Sequence, residues 1–227
     1  QYERDSDLAA SILAAIHALP LPKAPRRALI VQANPIADIV EESEGLLDRF
    51  EDHPMGAERA KLHRYRERVA RLGEELEETF RSERMMTVNS EVNSGNFLIS
   101  DSRGYLVDWE KAVISQRYQD LGHFLVVTTT RWKTEYVFDR QGRRRFLKRY
   151  ALELGRLGEV VPPFENLDRL TAALEATIVL RGLSWCFMAY YQYTMTDREI
   201  RNQETFDTIR TYLSEIDELT QWVELGP

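Results

Sequence analysis

Between residues 87 and 109 the chain reads Thr-Val-Asn-Ser-Glu-Val-Asn-Ser-Gly-Asn-Phe-Leu-Ile-Ser-Asp-Ser-Arg-Gly-Tyr-Leu-Val-Asp-Trp. Two short apolar runs, Phe97-Leu98-Ile99 and Tyr105-Leu106-Val107, flank the turn-forming Asp101-Ser102-Arg103-Gly104, which is the pattern of a β-hairpin. A hairpin across 97–107 brings Asn96 and Asp108 to the same open end, one on each strand, as long as the register holds. Gly95 lets the backbone turn tightly just before Asn96. Glu91 lies shortly upstream. An amide oxygen on Asn96 and a carboxylate on Asp108 are the hard ligands that magnesium takes. A carboxylate at Glu91 suits a hydroxyl that must lose its proton.

This spacing resembles the catalytic segment of the aminoglycoside phosphotransferase and choline kinase group, which shares the protein-kinase-like fold. Proteins of that group read His-Gly-Asp-Leu-His-Pro-Gly-Asn, then apolar residues, a turn, and Ile-Asp-Trp or Ile-Asp-Phe. Here the same frame reads Asn89-Ser90-Glu91-Val92-Asn93-Ser94-Gly95-Asn96, followed by Val107-Asp108-Trp109-Glu110. Their downstream Asp-Pro-x-x-Asp-Leu-Ala/Gly is similar to the stretch Ser115-Gln116-Arg117-Tyr118-Gln119-Asp120-Leu121-Gly122.

The resemblance implies phosphoryl transfer from ATP with Mg2+ to a hydroxyl of a small-molecule substrate, an amino sugar or amino alcohol. It implies Glu91 as base or orienter and Asn96 and Asp108 as metal ligands. Asp120 and Asn89 then support the loop from behind. The chain departs from the group at two positions. Asn89 stands at the first His, and Glu91, one methylene longer, stands at the catalytic Asp.

No Gly-x-Gly-x-x-Gly, Gly-x-x-x-x-Gly-Lys or Val-Ala-Ile-Lys strand occurs in the sequence. In kinase-like proteins these parts lie in an N-terminal β-lobe. Ile16-His17-Ala18-Leu19 resembles the Leu-His-x-Leu that follows that lobe and its hinge. The expectation is therefore a kinase-like C-terminal lobe, mainly α with a small β-hairpin (α+β), whose N-terminal nucleotide lobe belongs to the same protein outside this chain. It divides into a helical segment (1–84), the loop and hairpin (85–109) and a helical subdomain (110–227). Two rival expectations stand beside it: a catalytically inactive pseudokinase, motivated by Glu91 and by the absence of the N-lobe motifs from this sequence, and a helical interaction module in which the hairpin is a relic.

With 227 residues, one large domain is expected, with ample core. A net charge of −7 argues against nucleic acid as a partner, since phosphate backbones call for basic surfaces. The single cysteine, Cys186, allows no intramolecular disulfide and points to a reducing, cytoplasmic setting. In an apolar segment it reads as a small hydrophobe. No unbroken run of 18 apolar residues is present, so no membrane span is expected.

Hydrophobic periodicity predicts helices over 5–19, 36–51, 57–82, 118–132, 143–155 and 167–195, with a last one from 197 to 223 opened by the capping pattern Thr196-Asp197-Arg198-Glu199. Pro20, Pro22 and Pro25 predict a stiff linker after the first helix. The alternating Glu and Arg of 57–82 read as solvated pairs.

The aromatic run Trp185, Phe187, Met188, Tyr190, Tyr191 and Tyr193 reads mainly as core. Trp185, Tyr190 and Tyr191 are also candidates for a substrate pocket, where rings can hold an amine by cation–π contact. Glu110, next to Asp108, is a candidate for the pocket rim. Arg140, Arg143, Arg144, Arg145, Lys148 and Arg149 read as a solvated helix face. His17, His53, His63 and His123 show no metal spacing, and His123 reads as a polar core residue.

Overall fold

In a computed structural model of the protein, the described residues are 2–21, 29–100, 103–196 and 202–224. The linker prolines Pro22 and Pro25, the turn residues Asp101 and Ser102, and the capping residues 197–199 lie outside them. The elements run α1 (Tyr2–His17), α2 (Pro35–Leu47), α3 (Gly56–Ser82), β1 (Met86–Val88), a 3-10 turn (Ser94–Asn96), β2 (Phe97–Ile99), β3 (Gly104–Leu106) and β4 (Val113–Ser115). They continue with α4 (Tyr118–Leu125), α5 (Val127–Lys133), α6 (Arg140–Arg156), α7 (Phe164–Met195), α8 (Gln203–Ser214) and α9 (Ile216–Glu224).

Helix α7 is the central strut. It packs against α2, α3, α4, α5, α6, α8 and α9, while α1 packs on α6. It is long and apolar enough to cross a membrane by length and composition, a property the search for an unbroken apolar run did not register. Its apolar surface is taken up by neighbouring helices, and 72% of its most apolar window is buried inside the protein. The stripe Leu62, Tyr65, Val69, Leu76 and Phe80 buries one face of α3 at helical spacing, leaving its charges to solvent.

Local chemistry sets the starts of several elements. Asn34 caps α2, its Oδ1 accepting from the Ala37 amide at 3.2 Å, with Pro35 in the first turn where no amide bond is lost. Asp139 caps α6 through the Gly142 amide at 2.7 Å. Gly122 is required where α4 crosses α7, because a Cβ there would lie 2.9 Å from Leu174 Cβ and 3.0 Å from the Glu175 backbone nitrogen.

Three departures from the sequence reading have physical causes. The expected helix over 118–132 is two helices. Val126 is extended (φ −67, ψ 139) at the start of the β-branched run Val126 to Thr130, which has low helix propensity. The expected last helix over 197–223 is also broken. Asn202 caps α8 at the Thr205 amide, and Glu215 separates it from α9, so that Ile209, Tyr212, Leu213, Ile216 and Leu219 are all buried.

A second two-stranded sheet, β1 against β4, was not anticipated. Met86, Thr87 and Val88 pair with Ser115, Ile114 and Val113, and Val31 bridges to Ile114. These strands are almost wholly buried, so they lack the alternation that marks a half-exposed strand. The pairing matters because it clamps both ends of residues 89–112, the loop and hairpin.

Candidate active site

The loop 89–96 is held from below by one carboxylate. Asp120, fully buried on α4, accepts from the Asn89 amide at 3.0 Å and the Ser90 amide at 2.8 Å. Its Oδ2 also accepts from His17 Nε2 at 3.1 Å, and His17 Nδ1 lies 2.8 Å from the Tyr150 hydroxyl. Burial pushes the Tyr150 phenol well above its ordinary value, so it stays a hydrogen-bonding hydroxyl. A buried charge is costly unless its lone pairs are satisfied, and here three donors converge on one carboxylate.

The loop is also tied to the hairpin exit. Asn89 Nδ2 donates to the Asp108 carbonyl at 2.7 Å, and Ser90 Oγ donates to the Lys111 carbonyl at 2.7 Å. The Asn93 side chain accepts from the Gly95 amide at 2.9 Å, closing the turn before Asn96. Asn96 Nδ2 then donates to the Glu91 carbonyl at 3.2 Å, which engages its nitrogen and leaves its amide oxygen outside that bond.

The hairpin pairs Phe97 with Leu106, Leu98 with Tyr105 and Ile99 with Gly104. The Val107 amide donates to the Asn96 carbonyl at 2.9 Å, so Asp108 follows directly after the residue opposite Asn96. Ser90 (φ 66) and Asp108 (φ 65) are the described non-glycine residues in the left-handed region. Such backbone costs on the order of 1 kcal/mol or more and persists where surrounding bonds over-determine it. Both residues are held by the Asp120 and Asn89 contacts above.

Glu91 opens onto a cavity of about 420 Å³ whose walls include Lys111, His123, Trp132, Arg181 and Trp185. The Arg181 guanidinium forms ion pairs with Glu42, Nε to Oε2 at 3.0 Å, and with Glu91, Nη2 to Oε1 at 3.7 Å. His123 Nδ1 donates to the Val92 carbonyl at 2.8 Å. Burial, with Arg181 adding to it against the Val92 bond, pushes His123 down to about 4, so its ring is neutral at ordinary pH. Burial pushes the Cys186 thiol up, which keeps it protonated and unsuited to nucleophilic work.

Glu91, Asn96, Asp108, Asn89 and Asp120 are thus brought together, and Trp185 shares the cavity with Glu91. Tyr190 and Tyr191 are not. Tyr190 lines a separate hollow with Met55 and Asp207. Tyr191 stacks on Phe50 and its hydroxyl donates to Asp52. The α-helical rotation of about 100° per residue carries both away from the face of Trp185. Glu110 is exposed and does not line the cavity.

Sequence reasoning passed over Arg181 and underrated His123. Arg181 had a signal, being the sole charge from residue 176 to 196 in a helix otherwise apolar or neutral. His123 has none apart from its place one turn beyond Asp120.

Among the described residues no group of three His, Cys, Asp or Glu could hold a metal by itself. One amide and one carboxylate suit magnesium nonetheless, since that ion keeps several water and phosphate ligands.

A helical body presenting an acid, an amide and a second acid on one loop and hairpin defines a protein-kinase-like phosphotransfer fold. The chain belongs to the phosphotransferase enzyme family (APH), whose family model matches residues 1–160. Among solved structures it is similar to a spectinomycin phosphotransferase, APH(9)-Ia, in complex with ADP and spectinomycin, at 14% identity and a TM-score of 0.60, over 98% of this chain and 66% of that one. A choline/ethanolamine kinase family protein from Mesorhizobium loti aligns at 14% identity and a TM-score of 0.62, over 98% of this chain and 63% of that one. An ethanolamine kinase from Plasmodium vivax aligns at 13% identity and a TM-score of 0.61, over 93% of this chain and 58% of that one. The chain therefore spans between 58% and 66% of the length of these relatives. A search of curated proteins returns no match.

Proposed function

We propose that this chain is the helical, acceptor-binding lobe of an ATP-dependent phosphotransferase acting on a hydroxyl of a small molecule. The observation that carries the reading is that Glu91, on a loop fixed by Asp120, opens on a cavity of about 420 Å³, while Asn96 and Asp108 are tied to the same loop by hydrogen bonds. In this reading the acceptor hydroxyl lies against Glu91, which takes its proton as the oxygen attacks the γ-phosphorus of ATP. The bond from that phosphorus to the bridging oxygen breaks, and ADP leaves. Asn96 and Asp108 would hold magnesium, which neutralises charge on the phosphates when bound.

The extra methylene of Glu91 shifts the carboxylate outward relative to an Asp. The tie from the Asn96 side chain to the Glu91 carbonyl fixes the point from which that longer arm reaches.

A nucleotide-binding lobe would cover the hairpin from outside. Leu98 and Tyr105 are cross-strand partners, 56% and 54% exposed, and they form an apolar face of the kind that a nucleotide and a second lobe would bury. The length of the chain relative to its structural relatives supports the same view.

The test is phosphate transfer from labelled ATP by the complete gene product, across amino sugars, amino alcohols and hydroxy acids, beside an Asp108→Asn control. Turnover that disappears in the control supports the reading. Absence of turnover together with absence of magnesium-dependent ATP binding refutes it in favour of a binding protein with a kinase-like fold.

A further inference from the structure

The walls of the cavity beside Glu91 carry two acids, Glu42 and Glu91, and two cations, Lys111 and Arg181. Their sum is zero, so the sum does not say which acceptor fits. The pairing does. Glu42 is already ion-paired, its carboxylate 3.0 Å from Arg181 Nε. That contact engages the Nε edge of a guanidinium that carries five N–H donors. Arg181 Nη2 stands 3.7 Å from Glu91, beyond hydrogen-bond length, so the other edge of the fork is not saturated by it. Lys111 is exposed on the same cavity, and its ammonium has no ion pair among those the structure forms between described residues. His123 adds no charge, being neutral with Nδ1 bonded to Val92.

An acceptor entering this space meets unused cationic donors and one carboxylate that must take its proton. With Glu42 closer to Arg181 than Glu91 is, an ammonium group would turn to Glu91 and would compete with the hydroxyl for it. Three rings line the cavity, Trp132, Trp185 and Tyr212, and Tyr190 and Tyr191 add none to it. Tyr212 already lies under the Arg131 guanidinium at 5.9 Å and donates its hydroxyl to the Thr128 carbonyl, and Trp132 and Trp185 meet edge to face with centroids 5.7 Å apart, so the rings serve as apolar walls.

We propose that the cavity takes a hydroxy acid of about sugar size, with its carboxylate on the Arg181 fork and Lys111 and a hydroxyl at Glu91. This rests on the phosphotransferase reading for the role of Glu91. The anion site itself does not, because binding can be measured without transfer.

The experiment follows the intrinsic tryptophan fluorescence of the full chain, to which Trp132 and Trp185 on the cavity contribute, during titration with gluconate, glucose and glucosamine, which match in size and differ in charge. Gluconate is expected to bind at least tenfold more tightly than glucosamine. Arg181→Gln and Lys111→Met, made separately, should each weaken gluconate about tenfold and leave glucose unchanged. Glucosamine binding as tightly as gluconate, no gluconate binding, or a preference that survives both substitutions overturns the proposal. Inorganic phosphate is the remaining arm. If it binds as tightly as gluconate and both variants lose it equally, the cations serve the transferred phosphoryl group, and the assignment to the acceptor falls. Loss of ATP turnover in the complete protein with gluconate binding intact would instead count against the phosphotransferase reading alone.

Discussion

The two sides of the loop 89–96 are built on opposite principles. Beneath it, Asp120, His17 and Tyr150 are sealed from solvent and bonded to one another and to the loop amides. Above it, the Glu91 side chain is 40% exposed, Asp108 is exposed, and the hairpin face of Leu98 and Tyr105 is open. Position is fixed from the dry side and chemistry is presented on the wet side. In the proposed reading, the placement of Glu91 therefore does not depend on burying it before a ligand arrives.

The comparison can be broken most severely from below. Asp120→Ala leaves His17 and two loop amides without their common acceptor. It should cost about 3–5 kcal/mol, read from urea unfolding of the variant. Glu91→Gln, on the open side, should fall within about 0.5 kcal/mol of the parent in the same experiment. Equal losses would show that the loop is supported from both sides.

Next in size is Gly122→Ala, which drives a Cβ against the α7 backbone at Leu174 and Glu175. It should destabilise by about 1–3 kcal/mol, because neither backbone can yield cheaply.

His123 sharpens the contrast through pH, since it lies where the two sides meet. Its pKa in the folded chain is about 4, against 6.5 for the free side chain. As pH falls through that window the unfolded chain takes up the proton first. The stability associated with a neutral His123 is thus complete above pH 6.5 and is lost toward pH 4. His123→Gln should flatten the fall in Tm across that interval, and an unchanged slope would place the sensitivity elsewhere. The smallest effect is expected at Tyr105→Ser, where loss of an exposed ring should change stability by no more than about 0.5 kcal/mol.

Legibility in the sequence followed the same division. The hairpin could be read because turn residues and short apolar runs are local signals, and the observed register pairs Leu98 with Tyr105 as the spacing requires. The faces of α2 and α3 were visible for the same reason. What could not be read depends on distant partners. Strands β1 and β4 are recognisable only once the fold brings Met86 to Ser115. The breaks at Val126 and Glu215 reflect helices turning to keep apolar faces on α7. Tyr190 and Tyr191 looked like neighbours of Trp185 because adjacency along a chain is not adjacency around a helix. The charge on Arg181 was visible, but nothing local pointed it toward Glu91.

The cavity wall contributed by α7 consists of Ile178, Arg181, Gly182, Trp185 and Cys186, a single helical stripe. The groups proposed to act on phosphate lie instead between residues 89 and 108. In the proposed reading, most of the acceptor-facing wall and the groups acting on phosphate are therefore written in separate stretches of the gene. Substitutions along that stripe are then expected to alter acceptor binding more than phosphate transfer.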